Sequence, residues 1–194
     1  MITVMWCQLT RNTENGMKNG LLIQNATMVL PNRVVEGDLR VANGIIKTIA
    51  PLEGLQPELG ELVIDGTGLH LLPGAIDPHV HFRDPGHPEK EDLESGSRAA
   101  AAGGITSFLD MPNTLPNATN RVALEAKIAS ASVKCVTHHG FFIGATTNNV
   151  PDLQSIEGMD GVCGIKIFMG SSTGDLLVHE PVSYTHLRAH ETIL

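Results

Sequence analysis

The strongest chemical signal in the sequence is Asp77-Pro78-His79-Val80-His81-Phe82-Arg83-Asp84-Pro85-Gly86. In an extended strand, residues i and i+2 point to the same side. His79 and His81 can therefore present two imidazoles to one cation, and neutral imidazole suits Zn²⁺. Without a metal they are two histidines on a partly buried strand. A second signal is Lys166, flanked by Ile165 and Ile167. A lysine inside an apolar strand is costly unless compensated, and desolvation lowers its pKa and exposes a nucleophilic amine. The plainer alternative is a side chain that snorkels to the strand end.

The elements that must hold these residues follow from pattern. Residues 21–72 read as short β-strands: Leu21–Ile23, Ala26–Leu30, Asp38–Val41, Ile45–Ala50 and Leu62–Ile64. Pro31-Asn32, Pro51 and Asp65-Gly66 punctuate them, and Asn43-Gly44 predicts a two-residue hairpin turn. At Pro73-Gly74 the pattern changes. Ala75–Val80 predicts a strand, 89–102 a helix stopped by Gly103-Gly104, and Ile105–Leu109 a strand. Thr119–Ser132 predicts a helix with apolar Val122, Leu124, Ala126, Ile128 and Ala129. A strand within Val133–Ile143, a short helix at Pro151–Ile156 and a strand at Gly161–Met169 complete the alternation. Strand and helix alternating over short linkers predict parallel βα units, whose ligands gather at the carboxyl ends of the strands.

With these residues placed, Asp77–Gly86 resembles the metal-binding signature of dihydroorotases in the cyclic amidohydrolase superfamily. The likeness continues through Lys90–Thr114 and Gly164–Val178, and covers roughly Met17 to Val178. It implies an α/β fold: the first half of a (β/α)8 TIM-type barrel behind a small β-sandwich-like segment, truncated. It implies a small-molecule substrate, dihydroorotate or carbamoyl aspartate, and reversible hydrolysis of a cyclic amide in pyrimidine biosynthesis. It implies His79, His81 and Lys166 as ligands of two Zn²⁺ ions, with Lys166 carbamylated by carbon dioxide and bridging them. Arg83 would take the substrate carboxylate in its bidentate fork, and Asn113 would bond the same carboxylate or the ring amide. The plainer readings are an arginine paired with Asp84 or Asp110 and a turn or cap asparagine. The general-base aspartate of the family belongs to the last barrel strand, beyond this sequence, so no catalytic residue is assigned. The rivals are allantoinase, hydantoinase or dihydropyrimidinase activity, and a non-catalytic structural partner. His138 and His139, at the start of a strand, are expected to be structural or on the surface.

Length and composition set the outer limits. The chain has 194 residues, 13 basic against 21 acidic, for a net charge of −8. A complete eight-stranded barrel needs about 250 residues. The acidic balance argues against nucleic acid, and no apolar run reaches the ~20 residues of a membrane span. Cys7, Cys135 and Cys163 are widely spaced and odd in number, which fits a reducing, cytoplasmic setting. The expected organisation is a doubtful leader at 1–16, a β-rich segment at 17–73, four βα units at 74–180 and a non-native tail at 181–194. The tail rests on Val182–Thr192, whose codons in one frame resemble a transposase adapter used in sequencing libraries. The alternative is a helix presenting His186 and His190 at i, i+4. The 194-residue chain itself is expected to be inactive and poorly folded, its full-length parent to be a homo-oligomer.

Overall fold

The structure, a computed structural model, describes residues 20–170, 176–178, 180–183 and 185. The leader at 1–16, most of the glycine-serine loop after Gly170, and His186 and His190 lie outside the described residues. The chain divides into two compact units. One runs to Ala75 and takes in Gly104–Thr106; the other comprises Ile76–Gly103 and the chain from Ser107 onward.

The first unit is a five-stranded sheet in the order β3-β2-β1-β4, with β5 also paired to β1. Its strands are β1 (Leu21–Leu30), β2 (Arg33–Ala42), β3 (Ile45–Pro51), β4 (Leu62–Asp65) and β5 (His70–Leu71). Asn43 and Gly44 take φ of 53° and 74° and form the expected turn between β2 and β3. Two expected runs, Leu21–Ile23 and Ala26–Leu30, are one strand. A bulge separates them, with Asn25 at φ 58°. The buried Asp38 holds the bulge: its carboxylate accepts from the amides of Asn25 and Leu55, both at 3.0 Å. β2 begins at Arg33 rather than Asp38, because Arg33–Gly37 continue the ladder with β1 across the Pro31-Asn32 turn. Leu21, Ile23, Ala26, Met28, Leu39, Val41 and Leu71 form the core.

The second unit carries a four-stranded sheet in sequential order. Its elements are β6 (Ala75–Val80), α1 (Leu93–Ala102), β7 (Ile105–Asp110), α2 (Arg121–Lys134), β8 (His138–Gly144), α3 (Val150–Ser155) and β9 (Val162–Lys166). β7, β8 and β9 pair in parallel. The bonds Ala75 N to Gly104 O and Met111 N to Val80 O, at 3.2 and 3.0 Å, run β6 parallel to β7. These are the βα units of the first half of a TIM-type barrel. Among the described residues, no helix is long and apolar enough to cross a membrane.

Helix boundaries differ from expectation for local reasons. α1 starts at Leu93, not at 89, because Asp92 caps it, its carboxylate accepting from Ser95 N at 2.6 Å. α2 starts at Arg121 because Asn120 caps it through Ala123 N at 2.9 Å. Within α2 the buried stripe is Leu124, Lys127 and Ala131, whereas Val122, one of the apolar residues of the expected helix, is 75% exposed. The core around this stripe joins Leu124 and Ala131 to Phe82, Leu93, Phe108, Phe141 and Ile143.

Candidate active site

The carboxyl ends of β6, β7 and β9 carry the residues singled out above. His79 lies in β6 and His81 just past its end. The two rings stand 5.1 Å apart, and their Nε2 atoms face each other at 3.1 Å. Two imidazoles on one tetrahedral Zn²⁺, at ~2.0–2.1 Å each, hold their nitrogens about 3.3 Å apart. The observed spacing fits a pair of donors to one cation.

Asn113 contacts the second ring nitrogen of His81. It sits three residues past β7 and presents Oδ1 to His81 Nδ1 at 2.7 Å. With that amide oxygen as the acceptor, Nδ1 carries the hydrogen and Nε2 keeps its lone pair. That is the state a metal-binding histidine needs, oriented by its other ring nitrogen. Asn113 thus touches a donor histidine as well as lying where a substrate-binding residue was expected.

Arg83 follows in a tight loop: its amide donates to Glu91 O at 2.8 Å and its carbonyl accepts from His87 N at 2.7 Å. The carboxylates considered as its partners belong to lysines of α2. Asp84 pairs with Lys134 at 2.6 Å and Asp110 with Lys127 at 2.7 Å. Lys166 is the last residue of β9, half-buried, with Nζ 5.2 Å from the centre of the Phe168 ring. The sheet therefore brings His79, His81 and Asn113 into direct contact. It places Lys166 at the same edge, three strands along, a span of about 14 Å along the sheet at ~4.8 Å per strand. His138 and His139 open β8 at the opposite end of the ladder, as expected.

The Asp110–Lys127 pair was not visible in the sequence. Both side chains are buried, at 0% and 1% exposed. Burial pushes the Asp110 carboxyl above the ordinary aspartate range and the Lys127 ammonium below the ordinary lysine range, with each partner opposing the shift in the other. Lys127 also donates to Met111 O at 2.9 Å, and Asp110 accepts from Phe82 N at 2.9 Å. Desolvation thus reaches a lysine in a helix, Lys127. A cue existed: Lys127 falls three residues after Leu124 on the helical stripe.

Among the described residues no cluster of three His, Cys, Asp or Glu side chains forms a cation site. The visible donors are the two histidines, with Lys166 beyond them. A parallel βα sheet bearing paired imidazoles at its carboxyl edge is the arrangement of a barrel-type scaffold with its candidate cation donors at the strand ends. The amidohydrolase family model matches residues 70–171, and the chain belongs to that family. It is 36% identical over 158 residues to a dihydroorotase of Methanosarcina acetivorans, covering 81% of this chain and 33% of that protein. It is 38% identical over 149 residues to an allantoinase of Desulfitobacterium hafniense, covering 76% and 32%. The L-hydantoinase (dihydropyrimidinase) of Arthrobacter aurescens superposes with a TM-score of 0.74 at 26% identity, over 82% of this chain and 35% of that one. The chain thus spans about a third of the length of these relatives.

Proposed function

We propose that the protein carrying this chain is a dihydroorotase, a metal-dependent cyclic amidohydrolase that opens dihydroorotate to carbamoyl aspartate and closes it again. The observation that carries the cation site is the facing Nε2 pair of His79 and His81 at 3.1 Å, with His81 oriented by Asn113. The likeness to relatives named dihydroorotase supports the substrate class. Arg83, in the loop directly after the pair, supplies what a ring carboxylate needs: a permanently charged fork.

In the hydrolytic direction water adds to the ring amide carbon, the carbon–nitrogen bond breaks, and the ring nitrogen takes a proton. A divalent cation held by the histidines would lower the pKa of water and polarise the carbonyl. Arg83 anchors the substrate by its carboxylate, and with that charge paired the ring can enter in one orientation. Asn113 keeps the His81 lone pair aimed into the site and contributes to substrate recognition from the neighbouring loop. Lys166 is the third donor in this reading. Its neutral amine would add to carbon dioxide with loss of a proton, and the resulting anionic carbamate would help hold the divalent cations.

The test is turnover of dihydroorotate, hydantoin and allantoin by the full-length protein under one set of conditions. Dihydroorotate is expected to be fastest, with Arg83→Ala raising KM for it more than for hydantoin. Faster opening of hydantoin or allantoin by the wild type overturns the assignment and favours the allantoinase- or hydantoinase-like reading that the other relatives support.

A further inference from the structure

We propose that the buried Asp110–Lys127 pair is the positioning device of the cation site, fixing the loop that carries His81 against the loop that carries Asn113. The proposal rests on the cation-site reading above. It starts from where the pair's hydrogen bonds go. Asp110 Oδ1 accepts from Phe82 N at 2.9 Å, the residue immediately after His81. Lys127 Nζ reaches Asp110 Oδ2 at 2.7 Å and Met111 O at 2.9 Å, two residues before Asn113. Met111 N in turn donates to Val80 O at 3.0 Å, the residue immediately before His81. The two loops are therefore tied on both sides of His81 and just ahead of Asn113, and the tie runs through a third rigid element, α2.

A pair built only for stability has a simpler substitute. Well-packed apolar side chains of similar volume often replace a buried ion pair at no cost, whereas a half-removed pair is strongly destabilising. Apolar side chains cannot do two things this pair does: accept from Phe82 N and donate to Met111 O. Those groups lie where β6 and β7 give way to the loops, and buried main-chain groups without partners are costly. The lysine is held as well as charged, since its ammonium stands 5.1 Å from the centre of the Phe141 ring. The geometry it protects is narrow. The Asn113–His81 bond is 2.7 Å, and such bonds weaken beyond ~3.2 Å, so a relative loop shift of about half an ångström loses the His81 orientation. Asp110 and Lys127 touch neither substrate nor cation in this account; they act through His81 and Asn113.

The experiment compares the full-length wild type with Lys127→Met, the double variant Asp110→Asn/Lys127→Met, and Lys127→Arg. Each is read by thermal melting without metal and by Zn²⁺ affinity against a chromophoric chelator. Lys127→Met leaves a buried carboxylate unpaired and is expected to melt well below wild type. The double variant keeps an acceptor for Phe82 N and near-native volume, so it regains most of the melting temperature. It still lacks the tether to Met111 O, and its Zn²⁺ affinity is expected to stay at least about tenfold weaker than wild type, as for lost partners of metal ligands elsewhere. Lys127→Arg, which retains a cationic donor, recovers much of that affinity. A double variant that melts like wild type and binds Zn²⁺ within twofold of it overturns the proposal, because the pair is then structural only. A wild type that binds no Zn²⁺ overturns it too. A wild type that binds Zn²⁺, with the variants weakened as stated, supports the positioning role even if hydantoin is opened faster than dihydroorotate. That result removes only the substrate assignment.

Discussion

Gly96→Ala should weaken this protein, although alanine is the better helix former. Gly96 lies inside α1, buried, and a Cβ placed on it would stand 2.6, 2.8 and 2.9 Å from Cε1, Cζ and Cδ1 of Phe82. Ordinary carbon contacts sit at ~3.5–4.0 Å, so the ring must retreat by about 1 Å. It has little room: Phe82 is 9% exposed, and its ring packs edge-on against Phe108 at 4.7 Å between centres, with Phe108 wholly buried. Overpacking of this kind costs about 1–3 kcal/mol. The helix gains about 0.5–1 kcal/mol when glycine becomes alanine. The balance is a loss of between about 0 and 2.5 kcal/mol, centred near 1. Urea unfolding measures it. Phe82→Leu provides the control, since removing the ring should let Gly96→Ala show its helix-forming benefit, with a coupling energy of at least ~1 kcal/mol in the double-mutant cycle. The site should feel the same push, because Phe82 follows His81 and its amide is bound by Asp110. Zn²⁺ affinity is therefore expected to fall along with stability. A Gly96→Ala protein that is more stable than wild type, with no coupling to Phe82, would refute the packing argument.

Two further predictions come from the helices. Asp92→Ala removes the cap of α1 and should cost about 0.5–2 kcal/mol at pH 7. The Ser95 amide, followed by other local hydrogen bonds, holds the Asp92 carboxyl below its ordinary value of 3.8. A folded pKa below the unfolded one means that the contribution is complete above pH 3.8 and fades as pH falls through the folded value. Melting curves of wild type and variant should therefore converge in acid; a constant gap down to pH 2 contradicts the cap as the cause. In α2, Leu124→Ala should cost about 2–5 kcal/mol, whereas Val122→Ala should change stability by less than about 0.5 kcal/mol. Equal losses in urea midpoint would show that the buried face of α2 is misassigned.

What could be read from the sequence was local and covalently close. Asn43-Gly44 declares its turn because both residues tolerate positive φ, and the structure has them there. His79 and His81 declare a shared face because strand geometry repeats every second residue, and their nitrogens do converge. The unread parts depend on partners distant in the chain. The bulge at Asn25 is set by Asp38 across the sheet. The strand β5 has two residues and exists because β1 has room for a parallel neighbour beyond β4. In α2 the hydrophobic pattern suggested Val122 and passed over Lys127, because a charged residue reads as solvent-facing until its partner is known. The contact of Asn113 with His81 spans 32 positions, and no spacing rule announces it.

The strand β1 also orders assembly in time. It is the member that β2, β4 and β5 all share. Its pairing with β2 closes through a short turn, from Leu30 opposite Arg33. Its other edge waits for residues far downstream, with Leu21 opposite Leu62 and Thr27 opposite His70. Loop closure makes the nearer contacts quicker to form, and the later ones bear the larger entropy. The first unit thus has a built-in schedule: a hairpin assembles early with one bare edge, and that edge becomes safe from foreign strands only when β4 and β5 arrive.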